Sequence, residues 1–177
     1  MTVDVTALTL SPVMAIDEAW VDYNGHLNQA YYSVLFDRAI DHALIPVGLG
    51  PDYVTQRNAS YMTVENHICF VRELFKTDPV RVVSRVLDVD DKRLHLFCEM
   101  QHATDGWLSC TSEWMFLHVD MGARRTAPWP VDVRERLEAM KRAALTLPRA
   151  ERAGRRIGIE RKTVAGRQSA AHSNQNE

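Results

Sequence analysis

The run DYNGHLNQAYYSVLFDRAIDHALIPV, residues 22–47, decides the fold. Its first five residues, Asp22-Tyr23-Asn24-Gly25-His26, spell a turn, because Asn, Asp and Gly tolerate the backbone that tight turns need. Residues 27–47 then read as one long helix. Leu27, Tyr32, Leu35, Phe36, Ile40 and Leu44 are only part of its apolar set, which exceeds a single stripe. A helix apolar nearly all round is a buried helix. Pro46, Gly48, Gly50 and Pro51 end it.

Working outward, residues 9–22 read as a strand ahead of the turn. Four strand-like runs follow the helix: 60–74, interrupted by Glu65-Asn66-His67, then 78–89, 93–103 and 107–120. The third alternates Leu94, Leu96, Cys98 and Met100 against polar neighbours, the period of a half-buried strand. Asp90-Asp91-Lys92 and Thr104-Asp105-Gly106 are turn signals. Pro128-Trp129-Pro130 breaks the pattern before a charged amphipathic helix over 131–145. Consecutive strands with a segregated helix predict an α+β fold, an antiparallel sheet of five or six strands around one central helix. A helix of ~20 residues spans ~30 Å and needs that much sheet to cover it. One copy leaves a sheet edge open, so a homodimer or homotetramer is expected.

The chain has 177 residues, 46% hydrophobic and 25% charged, which fits one domain. Residues 1–148 carry 14 basic and 20 acidic side chains, a balance of −6. Residues 149–177 carry 7 and 3, a balance of +4. The expected division is therefore a domain over 1–148 and a basic, flexible tail over 149–177. With a net charge of −2 overall, the chain is no general polyanion binder, and no nucleic-acid partner is expected. No apolar run approaches the ~18 residues of a membrane span, and no signal peptide precedes the first strand. Cys69, Cys98 and Cys110 show no metal or disulfide spacing and read as buried thiols of a cytoplasmic protein. The seven His are scattered, without HxxxH or HExxH spacing, so no metal and no cofactor is expected.

The motif Trp20-Val21-Asp22-Tyr23-Asn24-Gly25-His26-Leu27-Asn28, followed by Tyr31-Tyr32 and Phe36, resembles the signature of hotdog-fold acyl-CoA thioesterases of the 4-hydroxybenzoyl-CoA thioesterase type. The resemblance covers about residues 8–119, with turn, helix and strands in the family's order. Lys92-Arg93-Leu94-His95-Leu96-Phe97 and Gly154-Arg155-Arg156-Ile157-Gly158-Ile159 resemble the thioesterases of carnitine degradation, which act on betainyl-CoA. The resemblance implies a hotdog fold, an acyl-CoA substrate, and a catalytic acid at Asp22.

The residues at the turn suit that chemistry. Thioester hydrolysis needs a carboxylate to activate water or attack directly, and donors for the carbonyl oxygen. Asp22 stands just ahead of a helix whose first N–H groups are free and partly positive, and Gly25 lets backbone approach a ligand. Asp22 could equally serve as a helix cap. His26 could position the loop or touch substrate. Asn24 and Asn28 could orient Asp22, donate to the carbonyl, or fill the turn and cap positions Asn favours.

Tyr23, Tyr31 and Tyr61 are candidates for an aromatic pocket, which binds a quaternary ammonium through ring faces, and Glu65 could add Coulomb attraction. Tyr32, Phe36 and Trp114 read as core, and Glu99 and Glu113 as solvated. Among basic residues for CoA phosphates, Arg93 leads Arg72, Lys76, Arg124 and Arg125. Two other functions fit the motif less well: a non-catalytic acyl-CoA or ligand-binding module, and a hotdog enoyl-CoA hydratase. Hydratases of this fold place Asp and His one residue further apart than Asp22 and His26.

Overall fold

The computed structural model of the chain describes residues 6–159. The elements run β1 (Thr9–Leu10), α1 (Gln29–Leu44), α2 (Pro51–Arg57), β2 (Ala59–Phe70), β3 (Val80–Val89), β4 (Arg93–His102), β5 (Leu108–Asp120), β6 (Arg125–Thr126) and α3 (Val131–Ala144). All strand pairs are antiparallel, in the order β1-β3-β4-β5-β2, with β6 on the end of β5. The expected α+β fold, a six-stranded antiparallel sheet against one long helix, is the fold observed.

Alternation divides each strand into two faces. Leu94, Leu96, Cys98 and Met100 of β4 join Cys110, Trp114 and Phe116 of β5 in the core under α1. From α1, Tyr32, Leu35, Phe36, Ala39 and Ile40 meet them, with Phe36 edge-on to Trp114 at 6.5 Å between ring centres. The alternate residues, among them His95, Phe97, Glu99 and Glu113, point to the outer face of the sheet. Burial pushes the thiol of Cys98 up to about 12 and that of Cys110 upward as well, so both are inert packing groups.

Several boundaries differ from the expectation. Helix α1 starts at Gln29, after Asn28, and gives way after Leu44 to a 3-10 turn over Ile45–Val47. Gly48 then takes φ +90°, a left-handed conformation only glycine adopts without strain. Pro51 does more than end the first helix: it occupies the first turn of α2, where its missing N–H costs nothing. The first strand shrinks to Thr9–Leu10, because Asp17 accepts from Ala19 N–H and opens a 3-10 turn over Glu18–Trp20. Nor is α1 enclosed all round: Ala30, Asp37 and Asp41 form an exposed stripe. That stripe lies toward β2, where Tyr61 Oη donates to Asp41 at 2.9 Å.

The largest departure is inside β2. A bulge between Thr63 and Glu65 inserts Val64 as an extra residue opposite β5. Beyond it, Asn66, Ile68 and Phe70 share the α1 face, and Glu65, His67 and Cys69 turn to the outer face. A one-residue shift exchanges faces for everything downstream.

Helix α3 packs along β3 through Val133, Leu137 and Met140. Ion pairs Lys141–Asp88 at 2.6 Å and Arg134–Asp91 at 2.5 Å flank it. Packing does not stop at the expected boundary of 148. Ala150 is 2% exposed, and Gly154 N–H donates to Glu113 at 2.7 Å. The rest of the expected tail, residues 160–177, lies outside the described residues. No helix among the described residues is long and apolar enough to cross a membrane.

Candidate active site

The turn ahead of α1 is a closed loop. Val21 and Leu27 pair as an isolated antiparallel bridge. Asp22 N–H donates to His26 O at 2.9 Å, and Gly25 N–H to Asp22 O at 3.0 Å. Gly25 sits at φ +84°, so the loop requires glycine there. Asn24 N–H donates to Asp22 Oδ1 at 2.8 Å, an Asx turn that fixes the carboxylate. Oδ2 has no hydrogen-bond partner among the described residues.

The bridge closes the loop that carries Asp22, and α1 begins at Gln29, two residues after Leu27. The cap of that helix is Asn28, not Asp22: Asn28 Oδ1 accepts from Ala30 N–H at 3.0 Å, with extended backbone. Asp22 is therefore left free of the structural duty a helix-start carboxylate usually has. Replacing Asn28 with Ala should destabilise the protein by about 1 kcal/mol in urea unfolding. Asn28→Asp should restore most of that loss, since an Asp side chain accepts the same N–H. Equal stability of the Ala and wild-type forms would remove the capping role.

Leu27 N–H donates to Leu74 O at 2.8 Å, which ties the turn to the segment after β2. The His26 ring packs edge-on against Phe75 at 5.6 Å between ring centres, and among the described residues it makes no hydrogen bond to the Asp22 carboxylate. Tyr23 is 97% exposed at the tip. Tyr31 stacks on Trp20 at 5.3 Å, and Arg38 covers the Trp20 ring at 5.1 Å. Exposed Phe70, Val71 and Phe75 lie at the same end of the sheet. Basic side chains there include Arg72, over the Trp107 ring at 4.0 Å, and Lys76, paired with Glu18.

Other candidates are elsewhere. Tyr61 and Tyr31 are at opposite ends of α1, so one chain does not assemble the aromatic cage expected from Tyr23, Tyr31 and Tyr61. Tyr61 joins Asp41 and Phe116, and burial together with the Asp41 carboxylate raises its hydroxyl above the ordinary tyrosine range. Asp37, one helical turn before Asp41, is likewise raised, by burial and by Asp41.

Glu65 lies on the outer face of the sheet. It lines a cleft of about 240 Å³ with His67, His95, Glu113 and Arg155, across the sheet from Asp22. The bulge at Val64 is the cause, and beyond it Asn66 takes the helix-facing position. Glu113, expected to be solvated, is only 15% exposed and accepts from both His95 and Gly154. Arg93 forms an ion pair with Asp90 at 2.5 Å in the β3–β4 hairpin, at the far end of β4 from the turn. At ~3.3 Å per residue, the ten residues of β4 separate it by ~30 Å within one chain. Arg72 and Lys76 lie at the Asp22 end. No group of three or more His, Cys, Asp or Glu suited to a metal ion occurs among the described residues.

Known proteins share this arrangement. The model of the Thioesterase-like superfamily matches residues 18–137. A betainyl-CoA thioesterase of Pseudomonas aeruginosa is 36% identical over 140 residues, 79% of this chain and 88% of that protein. An L-carnitine dehydrogenase/betainyl-CoA thioesterase of Rhizobium meliloti is 34% identical over 82% of this chain, which spans only 29% of that longer protein. Among solved structures, a putative thioesterase from Pseudomonas putida KT2440 superposes with TM-score 0.75 at 31% identity, covering 86% of this chain and 97% of that one. A Staphylococcus aureus protein solved in complex with CoA gives TM-score 0.80 at 24% identity, covering 88% and 98%, a likeness of fold.

Proposed function

The chain belongs to the thioesterase-like superfamily and is a thioester hydrolase of the hotdog fold, and on that premise we propose that it hydrolyses betainyl-CoA at Asp22. The observation that carries the assignment of Asp22 is its carboxylate geometry. One oxygen is fixed by Asn24 N–H, the other has no hydrogen-bond partner among the described residues, and the loop that carries them leads directly into the N-terminus of α1, where the helix dipole is positive.

In the proposed reaction the thioester carbonyl lies against the first N–H groups of α1, which stabilise the charge that develops on oxygen. Asp22 Oδ2 takes a proton from water as the water oxygen bonds to the acyl carbon. The C–S bond then breaks, and the CoA thiolate leaves and is protonated. Gly25 keeps the approach clear of a side chain. Tyr23, Phe70, Val71 and Phe75 offer apolar surface for the pantetheine arm, and Arg72 and Lys76 offer charge to the phosphates.

The site extends to a second copy. Among the described residues, strand β2 has an unpaired edge of 12 residues, Ala59–Phe70, with Met62 and Val64 exposed along it. Antiparallel self-pairing about the strand's midpoint sets Tyr61 of the partner subunit near Ile68, on the way to Phe70 and the turn. The Tyr61–Asp41 pair, with Asp37 beside it, is then the aromatic and anionic group facing the acyl end. An aromatic face and a carboxylate suit an ammonium that cannot donate a hydrogen bond. The 36% identity to a betainyl-CoA thioesterase supports the same acyl group.

A panel of acyl-CoAs assayed by thiol release tests both levels. Betainyl-CoA is expected to exceed its neutral isostere, 3,3-dimethylbutyryl-CoA, about tenfold in kcat/KM, the scale of one cation–π contact with charge assistance. Equal values would remove the cationic acyl group, and absence of release from every member would remove hydrolysis. EDTA is expected to leave the rate unchanged. Loss of activity restored by a divalent cation would overturn the metal-free mechanism.

A further inference from the structure

The outer face of the sheet carries a feature that hydrolysis does not use. The chain after α3 crosses this face from β3 to β5. Arg85 of β3 donates through Nη1 to Pro148 O at 2.8 Å. The same guanidinium covers the ring of Phe97 on β4 at 5.7 Å. Glu113, directly opposite Phe97 on β5, accepts from Gly154 N–H through Oε2 and pairs with His95 Nε2 at 2.6 Å through Oε1. Between these two anchors Ala150 is 2% exposed. Phe97 is also 2% exposed although it points away from α1, and neither residue joins the central core. The crossing segment is thus what removes Phe97 from water.

The strap, residues 148–154, lies wholly beyond the superfamily match, which ends at residue 137. It ends at Gly154, whose φ of +75° lets the chain turn over Glu113. Without it, Phe97 would stand exposed among half-buried Val83, Met115 and Leu117, an apolar patch on a flat sheet face. Such a patch drives association. We propose that this strap is an intramolecular cap that closes the outer sheet face to a second copy of the chain.

The cap can be unhooked in the full-length protein without altering the sheet. Ala150→Asp places a charge at the buried contact, and Gly154→Pro removes the N–H donated to Glu113. The double variant is expected to be cut by trypsin after Arg149 or Arg152 at least ~10-fold faster than wild type, the scale of one lost hydrogen bond and one lost buried contact. In sedimentation velocity its mass is expected to be twice that of the wild-type species, whatever that species is. Adding Phe97→Gln should return the original mass while cleavage stays fast. Fast cleavage with unchanged mass would overturn the proposal, because a freed face would then not associate. Unchanged cleavage would overturn it as well, because these contacts would not hold the strap.

Discussion

Asp22→Asn is expected to lower kcat for thioester hydrolysis by at least ~100-fold, with the fold intact, because general-base catalysis contributes at least that much. The substitution is almost isosteric. An amide oxygen can still accept from Asn24 N–H, so the loop closed by the Val21–Leu27 bridge should survive. What is lost is the oxygen that takes the proton. Asn28 caps α1 and Asp22 does not, so the change removes no helix contact, and far-UV circular dichroism should be unchanged. KM should move little, since in the proposed reaction the carboxylate acts on the attacking water and not on the pantetheine arm. The assay needs fresh protein of verified mass, because deamidation would regenerate the acid. A rate within threefold of wild type would displace Asp22 from the chemistry.

Phe36→Ala should produce the largest loss of stability, about 3–5 kcal/mol, the range for an aromatic removed from a packed interior. Phe36 is fully buried, at the middle of α1, with its ring edge against Trp114. Trp114 in turn stacks on Phe116 at 5.8 Å, so the ring links the helix to the centre of β5. Truncation leaves a void that flanking β-strands cannot collapse into, because their backbones are fixed by neighbouring ladders. Urea unfolding should show a lower midpoint with the slope unchanged. A loss below about 1.5 kcal/mol would mean that the helix is not seated on the sheet as described.

Much of the fold was legible because it depends on local patterns. The period of residues 27–47 identified the helix, and the alternation of 93–103 identified β4 to within a residue. The turn signal at 22–26 located the loop that holds Asp22. Less was legible where one residue alters a register. Nothing in Met62-Thr63-Val64-Glu65 marks Val64 as a bulge, yet that bulge sends Glu65 to the outer face and brings Asn66 inward. The exposed stripe of α1 is obscured in the sequence by the long apolar set around it. Asp37 and Asp41 at one-turn spacing were the available sign of an open side.

Sequence alone determined the α+β class, the helix–turn order and the acid at the turn, because each is written in neighbours a few residues apart. Tertiary structure alone decided which charges meet. Arg93 is held by Asp90 in a distant hairpin, Tyr61 joins Asp41, and Glu113 receives Gly154 from 41 residues away. Those contacts depend on strand order, on the β2 bulge and on the path of the chain after α3. These are set by the packing of the whole core, which no short window of residues encodes.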